Sequence, residues 1–255
     1  MLDKALRVLE SFELDTPVWA EVELRHQLGM PSTTLNRILR SLEQSGYLLR
    51  REDGRYQLGI AAVRLGNRAS EALDLTAVLN PIVRELSVEL NELAMFAVPE
   101  FHAGRARYIA GHESSSKLRV TSEVGVSVPL RAGATAKVLL AYQPDELIER
   151  VLAMPFERLA AGTIMDVDMI RQQLAEIRRR GWAFSWEETY DGAFAVAAPL
   201  LDQDGRYAFA SIGVATPISR HSPEFEERIR EVTVAAAQSA ARALGYGLPS
   251  FSAGV

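Results

Sequence analysis

Ser32, Thr33, Thr34, Asn36, Arg37 and Arg40 place hydroxyl, amide and guanidinium groups within one short segment. An amide matches adenine, and a guanidinium matches guanine, through paired hydrogen bonds at the major-groove edge of DNA. Hydroxyls at a helix start cap it and also suit phosphate oxygens. Downstream, Arg50, Arg51 and Arg55 flank the turn residues Asp53-Gly54, where they suit phosphates or a minor groove. A solvated polar helix face is the competing reading of the first group, and a plain charged surface that of the second. A third concentration is Arg131-Ala132-Gly133-Ala134-Thr135-Ala136-Lys137. Its small residues let a ligand approach the backbone, and free N–H groups at a helix start favour an anion. A close-packed turn against a sheet fits the same residues equally well.

Catalytic constellations are poor. His26, His102, His112 and His221 are scattered without metal-ligand spacing, and the chain has no Cys, so thiolate zinc sites and cysteine nucleophiles are excluded. His112-Glu113-Ser114-Ser115-Ser116 has atoms for acid–base work, but neighbours along a strand or loop point apart, which favours a polar loop. Glu187-Glu188 reads as solvated or structural, and Arg178-Arg179-Arg180 as compensation of a helix C-terminus. No catalytic residue, metal site or cofactor is expected.

These groups need elements to hold them. Ala5, Val8, Leu9 and Phe12 follow helical spacing. Thr16-Pro17 opens a second short helix ending near Leu28-Gly29. Pro31-Ser32-Thr33 starts a third, with Leu35, Ile38, Leu39 and Leu42 as its buried stripe and Gly46 as its stop. Tyr47–Arg51 and Arg55–Leu58 form a hairpin around Asp53-Gly54. Residues 60–75 form a connecting helix with Ile60 and Val63 available for packing. Asn80-Pro81 restarts the chain as a helix, with Asn as cap and Pro in the first turn. Phe96–Val98, Arg105–Ala110, Trp182–Trp186, Phe194–Leu201 and Arg206–Val214 read as strands. Pro129–Ala136 is a loop feeding a helix to about Tyr142. Asp145–Leu152, an Asp166-capped segment ending at Gly181, and a long segment from Ser222-Pro223 read as helices.

The 255 residues suffice for one large domain or two unequal ones. The net charge of −5 argues at first sight against a nucleic-acid binder, yet residues 31–58 carry five arginines against three acids. A focused positive surface, doubled by pairing two copies, and salt-dependent binding are expected. No signal sequence and no apolar run long enough for a membrane span is visible, so a cytoplasmic location away from membranes is expected.

Several motifs share an order with a known family. In the first part they are Lys4-Ala5-Leu6-Arg7-Val8-Leu9, Pro31-Ser32-Thr33-Thr34, Arg37-Ile38-Leu39, Gly46-Tyr47 and Gly54-Arg55-Tyr56-Gln57-Leu58-Gly59. In the second they are Val128-Pro129-Leu130, Ala134-Thr135-Ala136-Lys137, Arg180-Gly181-Trp182-Ala183, Glu187-Glu188, Ala195-Val196-Ala197-Ala198-Pro199 and Pro217-Ile218-Ser219-Arg220. Over nearly its whole length the chain resembles the IclR family of bacterial transcriptional regulators. The resemblance implies an α+β protein. A winged helix-turn-helix (1–59) and a linker helix (60–76) would precede a GAF-like effector-binding domain (77–255) with a largely antiparallel sheet flanked by helices. It also implies a homodimer or dimer of dimers.

Family members that bind small oxo-acids tend to carry an acid, a Cys and two Ser around the ligand. The matching positions here are Ser185, Ala195, Gly213 and Ala215. With Gly133, Ala134 and Thr135 they make a roomier, more apolar effector site, suited to a larger or aromatic organic acid. The resulting expectation is a ligand-responsive regulator of double-stranded operator DNA, with repression as the default. The rival readings are a small-molecule-converting enzyme with an accessory DNA-binding domain, and a DNA-binding scaffold whose C-terminal domain only oligomerises.

Overall fold

The computed structural model describes residues 2–12, 17–72 and 75–245. The chain divides into two compact units, residues 1–74 and 75–255.

The first unit runs α1 (Leu2–Glu10), β1 (Val18–Trp19), α2 (Glu21–Leu28), α3 (Ser32–Gln44), β2 (Leu48–Arg50), β3 (Tyr56–Leu58) and α4 (Ile60–Ala72). Its core is built from Val8, Leu24, Met30, Leu35, Ile38, Leu39, Leu48 and Tyr56, with Ala5, Leu9, Phe12 and Leu42 packed against it. The stripes read from helical spacing are therefore the buried ones. The hairpin is in register, Leu48 opposite Leu58 and Arg50 opposite Tyr56.

The expected opening of α2 is corrected. Val18 and Trp19 pair with Gln57 and Tyr56 as a third strand, and the helix begins at Glu21; Thr16 lies outside the described residues. A β-branched residue and an aromatic suit a strand, and the edge of a two-stranded wing offers unpaired N–H and C=O groups. The helix start is closed instead by Glu23, whose carboxylate accepts the Ala20 N–H at 2.8 Å. After the wing, the backbones of Gly59 and Gly46 approach so closely that a Cβ on Gly59 would lie 2.3 Å from the Gly46 carbonyl oxygen. That approach fixes where α4 leaves the hairpin. Ile60, Val63 and Leu65 are exposed on α4. Residues 73–74 of the expected linker lie outside the described ones.

The second unit is a six-stranded antiparallel sheet, ordered β6-β5-β4-β9-β8-β7, with helices on both faces. Its elements are α5 (Leu75–Leu90), β4 (Leu93–Glu100), β5 (Arg105–His112), β6 (Ser127–Pro129), α6 (Ala134–Ala141), α7 (Asp145–Leu152), α8 (Val167–Arg180), β7 (Ala183–Trp186), β8 (Ala193–Leu201), β9 (Ala208–Pro217) and α9 (Pro223–Ala243). Helices α5 and α9 cover one face through Leu79, Val83, Leu86 and Ile229. Helices α6, α7 and α8 cover the other through Val138, Leu139, Val151, Ile170 and Leu174. The near-continuous apolar run in β8 follows from burial on both faces, with Phe194 and Val196 on the first and Ala195 and Ala197 on the second.

Two further expectations change here. Helix α5 does not restart at Asn80-Pro81; it begins at Leu75 and carries Pro81 inside. A mid-helix proline costs roughly 3 kcal/mol, which burial of Leu79 and Val83 at about 2 kcal/mol each offsets. Pro129, expected to open a loop, is the last residue of an edge strand, β6, and lies opposite Arg105. A proline is tolerated on an edge, where no ladder bond needs its missing N–H. Asn80, inside α5, caps nothing; the Asp166 cap holds, accepting the Met169 N–H, and at the expected start of α9 Ser222 accepts the Phe225 N–H. Among the described residues no helix is long and apolar enough to cross a membrane.

Candidate functional site

Helix α3 exists because Leu35, Ile38 and Leu39 are buried on one side. The same periodicity turns Ser32, Thr33, Asn36, Arg37, Arg40, Ser41 and Gln44 together, and these residues line one open groove. Thr34 is left out of it, half-buried, with its N–H donating to the Pro31 carbonyl. The amide of Asn36 is not idle. Its Nδ2 donates to Glu21 Oε1 at 2.8 Å, and Ser32 Oγ donates to the same oxygen at 3.2 Å. Glu21, the first residue of α2, carried no signal in the sequence for this role, because its partners lie 11 and 15 positions away.

The wing arginines divide. Arg50 lies over the Tyr56 ring, 5.7 Å from its centroid, and Arg51 pairs loosely with Asp53 at 3.6 Å. Arg55 reaches back to α2 and pairs with Glu23 at 2.7 Å. The Glu23 carboxyl is held below the usual carboxylate range, first by the Ala20 N–H and then by Arg55. Among the described residues, Arg55 is the one of the three tied to an element outside the hairpin.

In the second unit the candidate effector residues converge. Ser185, Ala195, Ala215 and Leu93 face one another across β7, β8, β9 and β4, and so form one row on one sheet face. Gly213 lies in the next row, opposite Ala197 and Met95. Helix α6 starts over this floor: a Cβ on Gly213 would meet the Thr135 methyl at 2.4 Å. Thr135 Oγ1 lies 3.3 Å from the Tyr108 hydroxyl, and the Thr135 carbonyl accepts from Ser211 Oγ at 2.8 Å. Burial pushes the Tyr108 hydroxyl up to about 12. All seven candidate residues, Gly133, Ala134, Thr135, Ser185, Ala195, Gly213 and Ala215, are brought together.

The expectation of free N–H groups at the α6 start is corrected. The Gly133 N–H donates to Glu188 Oε2 at 3.0 Å and the Ala134 N–H to Ser185 Oγ at 3.1 Å. The protein has placed its own carboxylate where an anion would bind. The other Glu188 oxygen meets Lys137 Nζ at 2.5 Å, and Lys137 also donates to Gln173 at 2.8 Å. Lys137 is 1% exposed and Glu188 4%, so Glu188 is structural and not solvated. Burial pulls the Lys137 ammonium below the ordinary lysine range, and Glu188 opposes that shift. One signal was available: Lys137 is the single charge in ATAKVLLA, a helix in which every residue is buried, and a buried charge needs a partner. Glu187 lies past the end of β7 and takes a left-handed backbone, φ 49°.

The remaining chemistry-bearing residues have local partners. Ser114 and Ser115 hydroxyls donate to the Asn91 carbonyl and side-chain oxygens at 2.6 and 2.9 Å. His112 faces Ser87 at 3.1 Å, and His221 pairs with Glu226 at 2.9 Å. Arg178 donates to the Ala141 and Gln143 carbonyls at 2.6 and 2.8 Å, near the C-terminus of α6. Among the described residues no group of three His, Cys, Asp or Glu could hold a metal ion.

Two family models match the chain. The family model of the IclR helix-turn-helix domain matches residues 1–52, and that of the bacterial transcriptional regulator IclR C-terminal domain matches residues 67–244. The chain is 28% identical to the HTH-type transcriptional regulator KipR of Bacillus subtilis over 244 residues, covering 95% of this chain and 96% of that protein. It is 27% identical to the transcriptional repressor IclR of Escherichia coli over 246 residues, covering 96% and 89%. A crystal structure of an IclR homologue from Microbacterium hydrocarbonoxydans, complexed with 4-hydroxybenzoate, superposes with a TM-score of 0.60 at 25% identity, covering 95% of this chain and 99% of that one. KipR and the E. coli protein bear the names of transcriptional regulators. A winged helix-turn-helix followed by a helix-flanked antiparallel sheet, with both family models matched in order, establishes that this chain belongs to the IclR family of bacterial transcriptional regulators.

Proposed function

We propose that this protein is an effector-controlled repressor that reads a near-palindromic operator with α3 and anchors the backbone with the wing. The observation that carries the reading is the single groove in which Ser32, Thr33, Asn36, Arg37 and Arg40 stand together. Thr34 and the wing residues Arg50, Arg51 and Arg55 take phosphate contacts. Two copies pair through the linker helix, where Ile60, at 67% exposure, and Val63 await cover, so operator half-sites follow the two-fold symmetry of the dimer. Repression is the favoured sign because a bound dimer occludes a promoter, and the E. coli relative bears the name of a repressor. The protein acts in the cytoplasm, where its operator DNA is.

The effector is a larger or aromatic organic acid. Ala195 and Ala215 give this sheet face little side-chain bulk beside the start of α6, and the homologue bound to 4-hydroxybenzoate shows an aromatic acid in a related protein. Glu188 already occupies the α6 N-terminus, so the acid is held by the hydroxyls of Ser185, Thr135 and Tyr108 and not by free backbone N–H groups. Binding moves the operator equilibrium only if the acid prefers one spacing of the two DNA-reading heads over the other.

The test is a mobility-shift assay on the intergenic DNA upstream of the gene, at fixed salt, with and without 4-hydroxybenzoate and related acids. Retarded duplex released by an aromatic acid supports the reading. Tight calorimetric binding of glyoxylate or pyruvate overturns the effector class, and indifference to all genomic duplexes at low ionic strength overturns the regulator reading.

A further inference from the structure

Asn36 is the one amide among the candidate base readers, and an amide presents either a donor or an acceptor depending on which way it is turned. The neighbouring side chain settles which end is which. Glu21 is a carboxylate, and a carboxylate only accepts. The atom of Asn36 that lies 2.8 Å from Glu21 Oε1 is therefore the nitrogen, Nδ2. Ser32 supports the arrangement from both sides: its hydroxyl donates to the same Glu21 oxygen at 3.2 Å, and its oxygen lies 3.1 Å from Asn36 Nδ2. Among the described residues nothing donates to Asn36 Oδ1. Asn36 and Ser32 both line the α3 groove, so the carbonyl oxygen is the end of the amide left for a partner there.

We infer that Glu21 is a positioning residue for sequence readout: it holds the Asn36 amide nitrogen inward and carbonyl outward, so the base read by Asn36 must carry an exocyclic amino group in the major groove. This rests on the reading of α3 as the recognition helix. The amino-bearing bases at that edge are adenine, through N6, and cytosine, through N4; guanine and thymine offer keto acceptors there instead. An acceptor aimed at a keto oxygen leaves both groups unpaired and repelled. Released from Glu21, the amide turns freely, and Nδ2 satisfies a keto base as well as Oδ1 satisfies an amino one. Glu21 has a second, separable effect. Its negative charge borders a surface that approaches phosphates, and so lowers affinity for every duplex alike.

The experiment selects duplexes from a random-sequence pool with the full-length wild type and with Glu21→Ala, Asn36→Ala and the double variant, all at one ionic strength. The melting midpoint of each is measured first. The expected wild-type result is one position where adenine or cytosine is preferred over guanine or thymine by about tenfold, the scale of one base-edge contact made against one left unpaired. Glu21→Ala should bind all duplexes more tightly and lose that preference at that position alone. Asn36→Ala should lose it at the same position, and the double variant should lose nothing more. If Glu21→Ala does not fold, Glu21→Met, which keeps the methylene packing, takes its place.

The inference is overturned if the Glu21 variant tightens binding uniformly with selectivity intact, or if the two single variants change different positions. It is also overturned if Asn36→Ala changes nothing while Arg37→Ala and Arg40→Ala each change a position, and in that case α3 remains the reader. If none of the three alters any position, the recognition-helix reading itself fails.

Discussion

The two units of this protein handle polar groups in opposite ways. On α3 the polar side chains stand outside, lining an open groove, and the core behind them is wholly apolar. At the start of α6 the polar groups are inside. Lys137, Glu188, Ser185 and Thr135 are buried against the sheet, and each meets a partner within the fold. The first arrangement faces solvent, whereas the second is satisfied within the fold. Changes on α3 should therefore alter recognition while sparing stability, and changes around α6 should alter stability before they alter recognition.

The strongest test of that contrast removes half of the buried pair. Glu188→Ala strands Lys137 in the interior and frees the Gly133 N–H, and should lower unfolding free energy by about 3–5 kcal/mol, read by urea denaturation. A loss below 1 kcal/mol would mean water reaches the pair, and the second region would no longer differ from the first. Next in size, Gly213→Ala pushes a methyl against Thr135 and Ala197 and should cost about 1–3 kcal/mol through overpacking. Arg37→Ala should leave the melting midpoint in place while costing about 1–3 kcal/mol of operator binding with relaxed discrimination at one base pair; an equal loss on random duplex would make it a backbone contact instead.

Alkaline titration sharpens the same point. In the folded state the Tyr108 hydroxyl keeps its proton to about pH 12, against an ordinary value of 10.0. Above pH 10 the unfolded chain loses that proton while the folded chain retains it, so stability is complete below pH 10 and falls as pH rises toward 12. The slope from this group approaches 1.4 kcal/mol per pH unit, and Tyr108→Phe should remove that slope. The smallest expected change is Asp166→Ala at the α8 cap, about 1 kcal/mol, measured by thermal melting.

Legibility followed the range of the interactions involved. The stripe Leu35, Ile38, Leu39 and Leu42 names both faces of α3 by spacing alone, and Asp53-Gly54 announces the wing. The Asp166 and Ser222 caps were equally readable, since each bond spans three residues. The third wing strand was not, because Val18 pairs with Gln57 far along the chain. The Glu21–Asn36 contact and the Glu188–Gly133 contact were hidden for the same reason, spanning 15 and 55 positions.

What the amino-acid order settled without help was helical periodicity, the wing turn and the Asp166 cap, because those depend on neighbours within one or two helical turns. What folding alone decided was the pairing of remote polar groups. The sequence of α6 offered N–H donors and a lysine to any anion, and only the packing of the β7–β8 turn against it determined that the anion is Glu188. A carboxylate has no local signature of its destination; its partner is chosen by which surfaces the sheet brings together and by the high cost of leaving a charge buried alone.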